Sequence, residues 1–551
     1  MQNRGRLTTM RIWGTDQLPA AYRAHISKLP RRKGRRRAAT FTLAVACMSG
    51  IASIFLSTYY LGNFPIFTVV LPWEFPLWAQ FPFFATGILL FGTVLLDPSV
   101  FWPVLVGTSI FASGPLVLRF SILDEWLVGC LVLGAFAAVV VGSVPRRKPP
   151  LHRGWVSLFL GFGTYLFIMS VVGFLAYANP KALRFSALFL VIVILGYLLA
   201  RYDFPVPQPE RITLLVATVG LVYFTLYVVH GVVFYSHVVV TAMWEGMGYA
   251  GAAGQTAPGI AAVPAALILI ARERGRRKAL GWAVLILALL VSCLADTRAG
   301  MVIILISMLM VLLAIGFKFF LKIAVVGMVT SVLIGASFLD RPWMGLEMIT
   351  DTFAASRIES GVRPVYYYGA GRIVPVAKGD AGRFLYARGA VEALRQNPYY
   401  ALTGAGIYGY FPFAGPYYQQ VAREYGVPTY DINLAVALGR TVEPPRPPTL
   451  GVLIAETGLI GITLLAVCCM ALIRATVFRT SQLYRLKFLR RPNLPIVAPL
   501  VLAVAWSYFA SDALDMMQLY VILMPFGLVH AWGRIDKEAR SANGERSPGA
   551  R

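Results

Sequence analysis

Charged side chains are scarce in this sequence: Asp, Glu, Lys and Arg make up 14% of its 551 residues, against about 25% in a soluble globular protein. Hydrophobic residues make up 58%. They gather in uninterrupted runs of roughly 17–25 residues, the length that an α-helix needs to cross about 30 Å of hydrocarbon. Because lipid offers no partner to an unpaired peptide group, these runs predict membrane-spanning α-helices. The composition excludes an ordinary soluble domain.

Histidine and cysteine are also rare, at five residues each. All five cysteines lie within apolar runs, where a thiol packs as a small hydrophobic group. None has the spacing to a histidine that a zinc site requires. We therefore expect no metal, no cofactor and no disulfide framework.

Acidic residues are half as numerous as basic ones, 25 against 50, so the net charge is +25. A polyanionic partner would explain this excess, and so would the retention of basic loops in the cytoplasm. The densest basic clusters are 31–37, 146–153, 272–278 and 474–491. If the N-terminal arm is cytoplasmic, counting the predicted spans along the chain places all four clusters on the cytoplasmic face of the membrane. We therefore favour the topological explanation, with both termini cytoplasmic and no nucleic-acid partner.

The predicted fold class is an all-α polytopic membrane protein of about 14 transmembrane helices (12–14), with one large, partly helical loop outside the cytoplasm. The expected order is a basic cytoplasmic arm at 1–38, eleven spans within 39–338, the loop at 339–448, three spans within 449–533 and a cytoplasmic tail at 534–551. The proline-rich stretch 65–82 is expected to be interfacial or re-entrant. The predicted spans are 39–59, 80–96, 99–118, 126–144, 155–176, 183–200, 212–234, 256–271, 279–295, 299–317, 320–338, 449–473, 495–511 and 516–533.

The predicted loop 339–448 differs in composition from the rest of the chain. It carries twelve Tyr, ten Arg, one Lys and nine acidic residues, and it contains no His. A loop of this length is usually either functional or disordered. Its aromatic residues, a helical pattern at 381–397 and its interspersed glycines favour an ordered, functional loop.

Two charged residues lie where an apolar environment makes a charge costly. Arg298 occupies a tight turn between two predicted spans. It is either a functional residue or an arginine whose side chain extends to the membrane–water interface. Glu456 lies inside an otherwise apolar span, within two turns of its outer end. A carboxylate there either pairs with an arginine or takes part in proton transfer. Gly458 and Gly461 would let a neighbouring helix approach closely.

The helical pattern in the loop spaces Arg388, Glu392 and Arg395 three or four residues apart, so one helix face can present two guanidinium groups. Guanidinium groups bind phosphate oxygens in pairs, and this arrangement suits a lipid pyrophosphate. An ordinary amphipathic helix with solvated arginines is the alternative. Gly404 and Gly406 follow in a turn that permits close backbone approach.

Five short motifs, taken in order, resemble the O-antigen polymerase/ligase superfamily of bacterial inner membranes. The resemblance covers about 280–475, with fifteen residues between Arg388 and Gly404 as in a loop motif of the polymerases. The N-terminal half matches only as a run of helices. The motifs are Thr297-Arg298-Ala299-Gly300, Gly382-Arg383, Asn397-Pro398, Gly404-Ala405-Gly406 and Ala455-Glu456-Thr457-Gly458-Leu459-Ile460-Gly461.

The resemblance implies a fold similar to the C-type glycosyltransferases and transfer of glycan from an undecaprenyl-diphosphate-linked donor. It implies that Arg298, Arg383 and Arg388 grip the donor diphosphate, work that needs no metal. The expected reaction polymerises lipid-linked repeats of O-antigen, capsule or exopolysaccharide at the outer face of the inner membrane. The lipid bilayer is a partner, and a chain-length regulator or a flippase is a candidate protein partner.

The chain departs from the superfamily's pattern at the residue expected to act as the general base. Ligases of the superfamily carry a His about nine residues before the Glu of the last motif, and here that position is Pro447. Glu456 is the first candidate base. His237, which lies near the predicted outer face, is the second candidate and is otherwise a packing or interfacial residue. The departure favours a polymerase over a ligase that transfers polymer to lipid A-core of lipopolysaccharide. A transporter or flippase is the alternative from another class.

Overall fold

A computed structural model describes much of the chain, and most of the described residues are helical. Isolated positions between 182 and 198, 304 and 308, and 342 and 346 are also described. The continuous ranges are 33–61, 77–112, 123–146, 153–178, 201–205, 209–235, 262–271, 273–294, 317–338, 362–367, 372–377, 381–424 and 449–473.

Helices of the N-terminal part coincide with predicted spans. Most begin about three residues before the predicted start, because they include polar residues such as Lys33 and Arg153 that a search for apolar runs leaves out. A further apolar helix, Ala262–Ala271, precedes α7. Helices α1 to α8 are Lys33–Leu61, Leu77–Leu96, Phe101–Ala112, Leu123–Val140, Arg153–Tyr177, Pro209–Tyr235, Arg276–Leu294 and Phe317–Phe338.

Among the described residues, two helical segments are long and apolar enough to span a membrane, Leu160–Tyr177 in α5 and Phe317–Ser337 in α8. A bent pair, Gln80–Leu96 with Pro98–Thr108, passes the same test if its two parts are counted as one span. The count of about 14 spans and the cytoplasmic position of both termini stay predictions.

The bend between α2 and α3 measures 115° and is centred on Asp97. Pro98 has no backbone N–H and cannot continue α2 in the ordinary way. The Asp97 carboxylate accepts hydrogen bonds from the Ser99 amide at 3.0 Å and from the Ser99 hydroxyl at 2.6 Å. A short 3-10 turn, Pro98–Val100, then leads into α3. Sequence therefore fixes both the end of one helix and the start of the next.

The proline-rich stretch 65–82 is helical in its last part, since α2 begins at Leu77; residues 62–76 lie outside the described part. Pro82 lies within α2. Its carbonyl accepts hydrogen bonds from the hydroxyls of Thr86 and of Ser49 on α1, both at 2.7 Å. The proline thus helps to join α1 to α2.

The N-terminal helices pack as a connected series. Helix α2 contacts α1 and α4, α3 contacts α4 and α6, and α7 contacts α6 and α8. At the crossing of α2 and α4, a Cβ atom on Gly134 would lie 2.7 Å from the Phe91 carbonyl oxygen. Large buried aromatic residues, among them Trp102 and Tyr223, fill the interior.

The described part of the predicted loop contains a β-hairpin and three helices. Strands β1 (Val362–Tyr367) and β2 (Arg372–Ala377) are antiparallel, with Val362 opposite Ala377. The hairpin was not part of the all-helical expectation, although its Val and Tyr residues favour strands. The helices that follow are α9 (Ala381–Gln396), α10 (Tyr399–Thr403), α11 (Tyr410–Glu424) and, after the loop, α12 (Thr449–Ile473). The helical pattern predicted at 381–397 coincides with α9.

Candidate functional site

Helix α12 is broken at Gly458. The backbone there has φ of 57° and ψ of −161°, outside any helical conformation. Only glycine adopts this conformation without a steric cost. A break leaves the preceding carbonyl groups without the amides four residues further on that a continuous helix would supply. These carbonyls need other donors.

The turn between α10 and α11 supplies them. The Ala405 amide donates to the Ala455 carbonyl at 2.8 Å, and the Gly406 amide donates to the Glu456 carbonyl at 3.0 Å. Two consecutive main-chain hydrogen bonds thus join the turn to α12 just before its break. The predicted glycine turn and the Glu456 motif are therefore in direct contact.

Helix α5 closes the arrangement from the other side. The Ile407 amide donates to the Met169 carbonyl at 2.9 Å. The Tyr165 hydroxyl lies 2.8 Å from the carbonyl oxygens of both Thr403 and Thr457, so its single proton is shared between the turn and α12. Tyr165, which lies on α5, thus contacts both the turn and α12.

Glycines make this close approach possible. A Cβ atom on Gly404, where φ is 80°, would lie 2.5 Å from the peptide between Glu456 and Thr457. A Cβ atom on Gly406, where φ is 94°, would lie 2.7 Å from the Gly173 amide nitrogen of α5. At both predicted turn positions, the backbone conformation and the close contact therefore require glycine.

Glu456 is buried, with 1% of its surface exposed. Its neighbours are tyrosines: it interacts electrostatically with Tyr177 at the end of α5 and with Tyr410 at the start of α11. Burial, followed by the charges of Tyr418 and Glu456, raises the pKa of Tyr410 well above its usual value of 10. The carboxyl group thus lies among phenol groups that stay protonated and can donate hydrogen bonds.

A row of aromatic rings leads from this cluster to the surface. Tyr400 interacts electrostatically with Tyr177, and its ring meets Phe413 at 5.0 Å and Tyr399 at 5.4 Å, edge to face in both cases. Tyr399 is 85% exposed. Aromatic faces of this kind contact apolar chains and the C–H faces of sugars.

Arg388 lies on the exposed face of α9 together with Arg395. Glu392 on the same face forms an ion pair with Arg395 at 3.9 Å. The opposite face is buried, and there a Cβ atom on Gly389 would lie 2.8 Å from the Tyr418 Cα of α11. Helix α9 also contacts α12. Arg388 thus lies on the exposed face of a helix that packs against α12.

The remaining predicted site residues are placed only in part. Arg383 lies in the first turn of α9, where the backbone is described and the side chain is not. Arg298 and His237 lie outside the described residues.

Three residues that build the site were not predicted. Tyr165, Gly173 and Tyr177 lie on α5, more than 220 positions before the turn that they contact. The only sequence signal was the presence of tyrosine and glycine on an apolar helix, and many spans share it.

Comparison with known proteins gives no relative: no family model, no curated protein and no solved structure matches the chain.

Proposed function

We propose that this protein is a multi-pass glycosyltransferase of the bacterial inner membrane. It polymerises undecaprenyl-diphosphate-linked oligosaccharide repeats into O-antigen, capsule or exopolysaccharide at the outer face. The observation that carries the proposal is the buried carboxyl group of Glu456 at the Gly458 break, held there by the 404–406 turn beside the helix that bears Arg388. The order of motifs resembling the O-antigen polymerase/ligase superfamily supplies the reaction class.

In the proposed reaction, one proton moves from the acceptor to the protein and one negative charge leaves with the lipid diphosphate. A hydroxyl group of the acceptor sugar attacks the anomeric carbon of the donor, and its proton passes to the Glu456 carboxylate. The bond between that carbon and the diphosphate oxygen breaks, and undecaprenyl diphosphate leaves as an anion. Arginines stabilise the developing charge on the leaving group; Arg298, Arg383 and Arg388 are proposed for this role.

Glu456→Gln tests the proposed base, because glutamine keeps the size of the side chain and removes its ability to accept a proton. Glu392→Gln is the matched control, a substitution of the same kind on α9. We expect the first variant to lose about 100-fold or more of the rate of polymer formation from purified lipid-linked repeats, and the second to retain it. Polymer of normal length and rate from Glu456→Gln at normal protein level would remove the proposed base.

The diphosphate site is tested by Arg388→Ala, with Arg423→Ala at the exposed end of α11 as the control. We expect loss of polymerisation from the first variant alone, since only Arg388 is proposed to contact the leaving group. Equal activities of the two variants would remove Arg388 from the site.

A ligase is the neighbouring alternative within the same reaction class. A strain that lacks this protein distinguishes the two. Lipid A-core that bears a single repeat indicates a polymerase, and long polymer left on the lipid carrier indicates a ligase. The absence of a His from 339–448 favours the polymerase.

A transporter or flippase is the second candidate, and the break at Gly458 favours it, because transporters bind substrates at interrupted helices. Purified protein in liposomes separates the two functions. A transporter moves labelled lipid-linked repeats across the bilayer and forms no glycosidic bond, whereas the proposed enzyme forms the bond.

A further inference from the structure

We propose that α10 and the 404–409 turn form a re-entrant segment that lies inside the membrane, and that its exposed apolar side chains contact bilayer lipid. The predicted loop then does not lie wholly outside the membrane. This inference concerns the position of the segment and holds whether the protein is a glycosyltransferase or a transporter.

Contacts with α5 measure how deep the segment lies. A Cβ atom on Gly409 would lie 2.8 Å from the Tyr177 ring, Ile407 bonds to Met169, and the Thr403 carbonyl lies beside the Tyr165 hydroxyl. From 409 back to 403, the partner thus moves twelve residues along α5. At 1.5 Å per residue this is about 18 Å. The partners all lie in Leu160–Tyr177, which is apolar enough to span a membrane.

Helix α12 gives a second measure. Gly404 packs against the peptide between Glu456 and Thr457, about 11–12 Å from the start of the helix at Thr449 by the same rise per residue. Half of the hydrocarbon core is about 15 Å. Two helices therefore place the deepest part of the segment near the middle of the bilayer.

The backbone of the turn meets the condition for irregular chain at this depth, which is complete shielding by protein. Residues 404–407 are buried. The Gly404 amide donates to the Tyr400 carbonyl at 2.7 Å, and the next three amides donate to α12 and α5 as described above. These four peptide N–H groups need no water.

The charge distribution within the predicted loop agrees with this position. Its twenty charged residues leave one long gap, the 27 residues of 396–422, which contain no Asp, Glu, Lys or Arg. The gap covers α10, the turn and nearly all of α11. Charges resume at Arg423 and Glu424, at the end of α11.

The exposed residues of α10 are Tyr399, Tyr400, Leu402 and Thr403, and the aliphatic one among them is Leu402. Leu402 is 56% exposed, and its carbonyl oxygen lies 2.8 Å from the Cβ position of Gly458, next to Leu459, which is 60% exposed. Ile168 and Val172 are exposed on α5, between the two contacts that Tyr165 and Gly173 make with the segment. Because this surface continues the outer faces of two apolar helices, the lipid that covers those helices covers Leu402 as well.

A nitroxide spin label on Leu402→Cys tests the position in liposomes. The background is a variant whose five cysteines are replaced by alanine. Ile168→Cys on α5 is the lipid-facing reference, and Arg395→Cys, at an exposed position of α9, is the aqueous reference. Molecular oxygen concentrates in lipid, and a nickel chelate stays in water. We expect the Leu402 label to relax through oxygen several times more than through nickel, as the Ile168 label does.

A Leu402 label that prefers the nickel chelate as strongly as the Arg395 label does would overturn the proposal. If the Leu402→Cys protein does not fold, hydroxyl-radical footprinting of the wild-type protein in liposomes decides instead. Tyr399 is highly exposed in the protein alone. We expect it to be oxidised at least fivefold more slowly in liposomes than after the protein is unfolded. Equal rates would overturn the proposal.

Discussion

At Gly404, both the backbone conformation and the packing against α12 require glycine. Its φ of 80° and ψ of 178° lie in a region that is essentially limited to glycine and costs other residues about 1–3 kcal/mol. The space that a Cβ atom would take is already filled by the peptide between Glu456 and Thr457. Conformation and packing therefore both exclude a larger residue.

For Gly404→Ala we predict a loss of about 2 kcal/mol or more of unfolding free energy, the strained backbone plus the overlap. Gly142→Ala is the control, because Gly142 has a similar φ of 72° and no described atom within 4 Å of its Cβ position. The control should lose only about 1 kcal/mol. Thermal unfolding in detergent measures both, and equal losses would contradict the proposed packing of the turn on α12.

Tyr410 should make the stability of the folded protein depend on pH in the alkaline range. Its pKa in the folded protein is raised above the ordinary value of 10 by burial and by Tyr418 and Glu456. The folded state therefore favours the protonated phenol. Its stabilising effect is fully present below pH 10 and is lost as pH rises above 10.

We predict that wild-type protein loses more unfolding free energy between pH 9 and pH 11 than Tyr410→Phe does, because only the wild type must keep the buried phenol protonated. The exposed Tyr399→Phe is the control and should behave like the wild type. Melting temperatures at the two pH values measure the effect. The same loss in all three proteins would show that Tyr410 does not carry it.

At the scale of the element, a glycine inside a helix either lies at a close contact with another helix or does not, and the chain offers examples of each kind. A Cβ atom on Gly389 would lie 2.8 Å from the Tyr418 Cα, whereas no described atom lies within 4 Å of the Cβ position of Gly327 on α8. Both glycines lie inside helices, where alanine is favoured over glycine by about 1 kcal/mol.

The two substitutions should therefore act in opposite directions. Gly327→Ala should raise the melting temperature, and Gly389→Ala should lower it, because α9 and α11 must separate to admit a methyl group. If Gly389→Ala is as stable as wild type, the close crossing of α9 and α11 is wrong.

Helices were the part of the fold that sequence could predict. Uninterrupted apolar residues define α5 and α8 within a few positions, and the periodic pattern at 381–397 defines α9. The break at Gly458 was not predicted, because glycine in an apolar helix also serves close packing. The hairpin at Val362–Tyr367 and Arg372–Ala377 was missed since short strands have a weaker signal.

For the site, sequence singled out Glu456, Gly404 and Gly406, since a carboxyl group in an apolar run and paired glycines are both unusual. It did not show that the three are in contact, nor that Tyr165 and Tyr177 join them. Those contacts depend on how α5 and α12 pack, and apolar periodicity carries no information on partners. The roles of Arg298, Arg383 and His237 stay predictions.

At the scale of the whole molecule, the proposed topology has a direct test. Alkaline phosphatase fused to the chain is active only outside the cytoplasm. A green-fluorescent-protein fusion fluoresces only inside it and reports the opposite location. We predict phosphatase activity for a fusion after residue 424 and fluorescence for fusions after residues 148 and 551, because the basic clusters fix the cytoplasmic face. Fluorescence after 424 would invert the loop and remove the outer-face reaction.

The contact between Tyr165 and Thr457 joins positions 292 residues apart. At ribosomal rates of about 5–20 residues per second, roughly 15–60 s pass between the synthesis of the two. Throughout that interval α5 is present without the helix that completes its contact with the turn. The glycine turn therefore reaches its final position only after α12 has been inserted. A nascent chain that stops before Gly458 cannot order the turn, so loss of residues 458–551, about one sixth of the chain, removes the site as completely as deletion of the loop does.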